Sequence, residues 1–351
     1  MKTLPFRYLI FGTAASLILG VAGNVCAERA GSNSKTMAAP TVEVIRKTAE
    51  RGMEFLTTDA AKWKTERKCA SCHQGVMTVW ALAEAKNHGY GGSAEALQNA
   101  MTWSRDRLVD IDKPQPATGG RPMLSTPALY FALMARCLPS DHTLSASDEQ
   151  QIALHLEHSQ ETDGSWTWSH APAQNRPPPV MESDEVATLL GVLAMEPRGR
   201  IDGRQSAAVA AHDKASSWLA KAQASDSTQV AAFRVLGRCS SPESAKMIKA
   251  DIDRLMRRQN RDGGWGQTKE LASDAYATGQ ALYVLNAAGV KADRPAIQRG
   301  IAFLVENQKE DGSWPMTPRA HPGATPFKNP SPIIYYGSAW ATMALMRNAP
   351  K

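Results

Sequence analysis

Two kinds of apolar segment alternate along the chain. In the first kind the apolar residues form one stripe: Ile297, Ile301, Leu304 and Val305 fall at i, i+4, i+7 and i+8, which predicts a helix with a single buried face. In the second kind they cover the whole circumference. Val186 to Met195 reads Val-Ala-Thr-Leu-Leu-Gly-Val-Leu-Ala-Met, and a helix that is apolar all round must be covered on both sides. Two-sided segments recur at Thr78 to Ala85, Pro127 to Cys137, Glu185 to Met195, Thr228 to Cys239, Ala275 to Ala288 and Gly337 to Met346. One-sided segments precede them around Phe55, Trp103, Leu156, Trp218, Leu255 and Leu304. The pattern predicts an all-α fold, a single α/α toroid of six inner and six outer helices. Six pairs complete a ring and neither end of the series carries an obvious polar cap, so we expect a closed barrel rather than an open solenoid.

The connections repeat as well. Gln160-Glu161-Thr162-Asp163-Gly164-Ser165-Trp166, Gln259-Asn260-Arg261-Asp262-Gly263-Gly264-Trp265 and Gln308-Lys309-Glu310-Asp311-Gly312-Ser313-Trp314 match one another. Trp265 and Trp314 are 49 residues apart and Trp166 and Trp265 are 99 apart, one period and about two. Each match follows a one-sided helix, which Asp-Gly ends because glycine accepts the left-handed backbone. All outer-to-inner connections must emerge at one end of the barrel. Three of them are long and proline-rich, including Arg176-Pro177-Pro178-Pro179 and Pro315 to Pro332. Long loops on a rigid scaffold commonly carry function, so that end is the expected mouth.

The Gln-x-x-x-Asp-Gly-x-Trp signature resembles the QW repeat of squalene–hopene and other terpenoid cyclases, and the helix pairing resembles the toroid shared with protein prenyltransferase β subunits. The resemblance spans about residues 41 to 348. It implies that Trp166, Trp265 and Trp314 are structural struts between helices. It also draws attention to Glu182-Ser183-Asp184-Glu185-Val186-Ala187, which is similar to the Asp-x-Asp-Asp-Thr-Ala motif of protonating cyclases, with Asp184 at the position of the central acid. Here the first and third acids are Glu182 and Glu185, and valine replaces threonine. Clustered carboxylates cannot all ionise cheaply, so one can keep a proton for an alkene. Acids at a helix start are also favoured by the helix dipole alone. Asp274 and Tyr276 open a second inner helix in the same way, with Ser273 or Asp274 as its N-cap or Asp274 and Tyr276 facing a polar site beside Asp184. Trp168, Tyr335 and Tyr336 add aromatic side chains at that mouth. Squalene cyclases pair two toroids around their cavity, whereas this chain supplies one. The prenyltransferase zinc motif Asp-x-Cys and the Cys-Gly-Glu-Gln of thioester proteins are both absent from the sequence.

Composition adds a compartment and a cofactor. Apolar residues make up 43% of the 351 and charged residues 21%, which excludes disordered, collagen-like and multi-span membrane chains. The net charge of +6 is scattered, so nucleic-acid binding is not expected. Lys2 and Arg7 precede an apolar stretch from Tyr8 to Val25, and Val25-Cys26-Ala27 fits signal cleavage after Ala27. We therefore expect an exported protein, periplasmic or extracellular, with a flexible lead-in over 28–40 and no membrane span. Cys69-Ala70-Ser71-Cys72-His73 is the attachment pattern of c-type haem: two thiols form thioethers and His73 ligates iron. A Cys69–Cys72 disulfide and a metal site with His73 are the competing readings. Met77, Met123, Met181, His170, Met316 or His321 could supply a second ligand to haem c. Cys137 and Cys239 are expected as free thiols.

Three functions follow. The first is a haem protein binding a small apolar ligand of the isoprenoid class, with redox chemistry and a redox partner. The second is a haem-free terpenoid cyclase or carbohydrate-active enzyme using Asp184 with Glu182, Glu185, Asp274 and Tyr276. The third is a non-enzymatic repeat scaffold for protein partners.

Overall fold

Short polar residues start the inner helices. Ser125, Ser227 and Asp274 each accept a backbone N–H three residues on (Ala128, Val230 and Ala277), which satisfies one donor that a helix start otherwise leaves unpaired. The computed structural model describes residues 39–67, 73–91, 93–105, 120–139, 142, 144–168, 179–195, 205–222, 225–239, 245–316, 319 and 330–349. Within them the chain forms α1 (Val42–Arg67), α2 (Gln74–Asn87), α3 (Ala94–Arg105), α4 (Thr126–Ala135), α5 (Ala146–Ser159), α6 (Asp184–Met195), α7 (Gln205–Lys221), α8 (Thr228–Arg238), α9 (Ala245–Met256), α10 (Ala275–Ala287), α11 (Pro295–Asn307) and α12 (Ser331–Asn348).

The even-numbered helices are the two-sided segments, and they form the inner ring. Each touches both neighbours, from α2 through α4, α6, α8 and α10 to α12, and α12 returns to α2. The odd-numbered helices lie outside, α3, α5, α7, α9 and α11 each against the inner helix that precedes it, and α1 against α12 and α2. The fold is the closed α/α toroid. No helix among the described residues is long and apolar enough to cross a membrane. The proposed signal segment and the lead-in up to residue 38 lie outside the described residues.

One turn design, used three times, ties the ring together. The amide Nε2 of Gln160 donates to its own turn at Gly164 O (2.9 Å) and to Ala211 O of α7 (2.8 Å). Gln259 does the same with Gly263 O and Ala296 O of α11, and Gln308 with Gly312 O and Thr48 O of α1. The indole N–H of each tryptophan donates to the outer helix just ended, at Leu156, Leu255 and Leu304 O. Each tryptophan backbone N–H reaches the next inner helix, at Thr188, Thr278 and Ser338. All three indoles are fully buried, as struts must be. The third turn is the closing one. Gln308 bonds α1, and Arg51 of α1 donates back to Lys309 O at 2.6 Å.

Aromatic side chains fill the barrel axis. Trp80, Phe233, Tyr283 and Trp340 meet at centroid distances of 5.2 to 6.1 Å and are all buried. At the plain end, buried Glu84 accepts from Tyr283 (2.6 Å) and Arg347 (2.9 Å) and pairs with His88. Burial would raise this carboxyl, but the charge of Arg347 and the bonds from His88, Arg347 and Tyr283 outweigh it and hold Glu84 down to about 2. Nearby Cys137 is free, with its thiol pushed up to about 12 by burial, and half-buried Cys239 donates its thiol to Val235 O at 3.3 Å.

Two outcomes test this account. Gly312 has φ +85°, and a Cβ there would lie 2.3 Å from Arg51 O, whereas Gly89 (φ +73°) has open space. Gly89→Ala should cost about 1–2 kcal/mol from backbone strain alone. Gly312→Ala should cost a further ~1–3 kcal/mol from the clash with the closing helix, read by chemical denaturation. Glu84→Gln, which strands Arg347, should lose about 3–5 kcal/mol at neutral pH. Because the folded value of Glu84 lies below the unfolded one, its contribution is full above pH 4.5 and fades as pH falls toward 2. Denaturation curves of the variant and the parent should therefore converge over that window.

Candidate functional site at the barrel mouth

The N-terminal ends of the inner helices meet at the mouth, and their first residues build it. Tyr276 and Gln229 face each other from α10 and α8, the phenol donating to Gln229 Oε1. Gln229 is fixed in turn by donating to Pro179 O at 3.1 Å. Burial raises the Tyr276 phenol well above its ordinary value, so it stays a donor. Tyr336 of α12 lies between Tyr130, Tyr276 and His73, with centroids 5.8, 6.4 and 6.1 Å away. Tyr335 donates to Leu56 O of α1 at 2.9 Å and shares a hydrogen bond with Thr78. The aromatic surface expected at the mouth is thus internal. Tyr335 and Tyr336 are buried, and so is Trp168, whose indole N–H donates to Ser183 O.

The acids of the Glu182–Ala187 segment part company. Ser183 caps α6 through Val186 N–H at 3.3 Å, and Asp184 begins the helix, half-buried. Glu185 turns outward to Arg234, which donates from Nε (2.9 Å) and Nη2 (2.5 Å) to one of its oxygens, and it also accepts from Ser225 N–H. Glu182 turns inward, where Arg319 and Ser227 both donate to it. Arg319 donates to Gln267 Oε1 at 2.8 Å, and Gln267 donates to Asp274 Oδ2 at 2.5 Å. Glu182 and Asp274 therefore belong to one network, while Asp274 also caps α10 through Ala277 N–H. Arg319, Gln267 and Gln229 escaped the sequence reading. Arg319 sits in a loop without periodicity, and a lone glutamine carries no spacing signal.

Burial pushes Glu182 above its ordinary carboxyl range, and the bonds from Arg319 and Ser227 oppose that shift. Burial thus favours a proton on Glu182, which stands two residues before Asp184, the central acid of the motif comparison.

His73 is the described end of the Cys69-to-His73 motif. Cys69 and Cys72 lie outside the described residues, as do His170 and His321. The imidazole is 7% exposed, edge-on to Trp63 of α1 at 4.9 Å and packed near Tyr335 and Tyr336 of α12. Burial lowers it to about 4, which leaves it neutral. Met77 follows one turn later on the same helix, its N–H bonded to His73 O. Met316 packs over Gly337, and Met123 is 43% exposed. Among the described residues no group of three or more His, Cys, Asp or Glu is placed to hold a metal.

Comparison with known proteins places the fold. The family model for the squalene-hopene cyclase C-terminal domain matches residues 227–349. Squalene–hopene cyclase from Bradyrhizobium diazoefficiens is 38% identical over 79 residues, 19% of this chain and 12% of that one. The enzyme from Zymomonas mobilis is 34% identical over 101 residues, 28% and 15%. The matches thus take in a small part of those relatives' length. Among solved structures, the type II terpene cyclase MstE from Scytonema aligns with a TM-score of 0.56 at 13% identity, over 89% of this chain and 99% of that one. That enzyme has also been solved with geranylgeranyl dihydroxybenzoate. A glycosidase aligns with a TM-score of 0.53 at 11% identity, over 91% and 98%. The architecture is that of the terpene cyclase toroid. This single toroid accounts for nearly all of the MstE chain, so the pairing of two toroids expected from squalene cyclases is not general to the fold.

Glu84 and Glu182 make opposite predictions. The folded value of Glu182 is raised, so its contribution is full below pH 4.5 and is lost as pH rises through the folded value. Glu182→Gln should therefore cost less stability at pH 7 than near pH 4, the reverse of Glu84→Gln. Paired denaturation series at the two pH values read the difference.

Proposed function

We propose that this chain is an exported protein on the terpene cyclase toroid that carries covalent c-type haem at the barrel mouth. The single observation that carries the reading is the position of His73. The Cys-x-x-Cys-His motif ends on an imidazole held neutral and nearly buried at the mouth by Trp63, Tyr335 and Tyr336, three flat side chains suited to packing against a porphyrin. Cys69 and Cys72 would form the thioethers and His73 would ligate the iron. Bound there, the group would supply electron transfer or oxidation. The side chains of α1 and α12 fix the imidazole ring and keep water from it. The axis below is occupied by Trp80, Phe233, Tyr283 and Trp340, so an apolar ligand of the isoprenoid class would lie above them, against the mouth.

The disposition of the acids supports this reading over acid catalysis. Glu185 is held by Arg234 and the Ser225 N–H, and Glu182 by Arg319 and Ser227, so these two carboxylates are committed to different partners rather than gathered at one point. A second reading, a haem-free protonating cyclase, draws on the upward shift of Glu182 within the network that reaches Asp274.

Protein exported from cells with an active cytochrome c maturation system should give a pyridine haemochrome spectrum of the c type. Cys69→Ala/Cys72→Ala should abolish it. A colourless exported protein would refute the haem reading. Loss of isoprenoid turnover in Glu182→Gln or Asp184→Asn at unchanged Tm would then establish the cyclase.

A further inference from the structure

A cleft of about 370 Å³ opens on the rim between α8 and α9, apart from the aromatic mouth. Five cations line it, Arg234, Arg254, Arg257, Arg258 and Lys269, against one carboxylate, Asp226. They come from α8, from the end of α9 and from the loop beyond it, so the concentration of charge is made by folding. A cation in the last turn of α9 would be favoured by the helix dipole, but that does not account for Arg234 or Lys269. Val230 and Ala231 are buried beneath and give the cleft an apolar floor.

The cations divide into fixed and free. The side chain of Arg258 is 6% exposed and uses all three nitrogens inward: Nε to Thr228 Oγ1 (3.0 Å), Nη1 to Asp226 Oδ1 (2.5 Å) and Nη2 to Asp226 O (2.9 Å). Arg234, 15% exposed, is held by Glu185 through Nε and Nη2. These two are ion-paired, rigid walls of the cleft, and their ordering entropy is met in the folded protein. Arg254 and Arg257 are exposed and have no hydrogen-bond or ion-pair partner among the described residues, and Lys269 reaches only Asp226, at 3.5 Å. Unpaired guanidinium groups gathered in a concavity repel one another, and a multiply charged anion relieves that repulsion while accepting planar, paired hydrogen bonds.

We infer that this cleft binds a small oxyanion of two or more negative charges, of the phosphate-ester or diphosphate class. The inference stands on the cleft alone and does not depend on haem. A singly charged carboxylate would compensate only one of the positive charges that Glu185 and Asp226 leave over.

The test is calorimetric titration of the full chain with inorganic pyrophosphate, with acetate as the monovalent control. One pyrophosphate site is expected, weakening as salt is added, with acetate binding far more weakly. Arg254→Ala and Arg257→Ala should each weaken pyrophosphate by about tenfold, as loss of one charge-assisted contact does. Both residues are exposed, so Tm should not move; Arg254→Gln and Arg257→Gln keep the helix end intact should an alanine variant fold poorly. Lys249→Ala, an exposed cation outside the cleft, should bind as the parent does. No heat with pyrophosphate at millimolar concentration, or binding equal to the parent's in a variant that combines Arg254→Ala with Arg257→Ala, would overturn the assignment.

Discussion

The amide of Gln308 holds the two ends of the described helix series together. Its bond to Thr48 O joins the last repeated turn to α1, 260 residues earlier in the chain. Two equivalent amides join neighbouring outer helices at Ala211 and Ala296, where sequence proximity already helps. At the closing turn there is no such help. The inner ring, the burial of Trp314 against Gly52 and the docking of Tyr335 on Leu56 all require that seam to be shut. A side-chain bond worth about 1 kcal/mol net therefore sits where the ring closes, and leaving it unmade would cost the half-buried Gln308 amide one of its acceptors.

Much of the architecture was legible in the chain because burial writes itself as periodicity. The two-sided segments became inner helices and the one-sided segments outer ones, since a helix between two layers has no polar face to display. The three QW-like turns were equally legible: each residue in them has a fixed partner, so spacing and identity repeat together. The expected N-cap at Asp274 was found for the same local reason, a carboxylate reaching three residues along its own chain.

The mouth was much less legible. Its residues meet only through the fold, from α1, α2, α8, α10 and α12 and from the loop that carries Arg319. Glu182 and Glu185 are three residues apart and look equivalent in sequence, yet one faces the mouth and the other the rim. That division follows from where α6 starts, with Ser183 as the cap between them, and from cations supplied by other repeats. The cleft between α8 and α9 was missed for a related reason. The sequence shows no basic run longer than Arg257-Arg258; Arg254 stands one helical turn before it, and Arg234 and Lys269 arrive by tertiary packing.

The cover over His73 sets an order of events. Its imidazole is enclosed by Trp63 from α1 and by Tyr335 and Tyr336 from α12, so the lid over residue 73 is made by residues more than 260 positions later. Contacts of such separation form late in folding. The His73 imidazole is therefore uncovered while α12 is still undocked. When the ring closes, that side chain is shut away from solvent, and it meets water again only if the seam reopens.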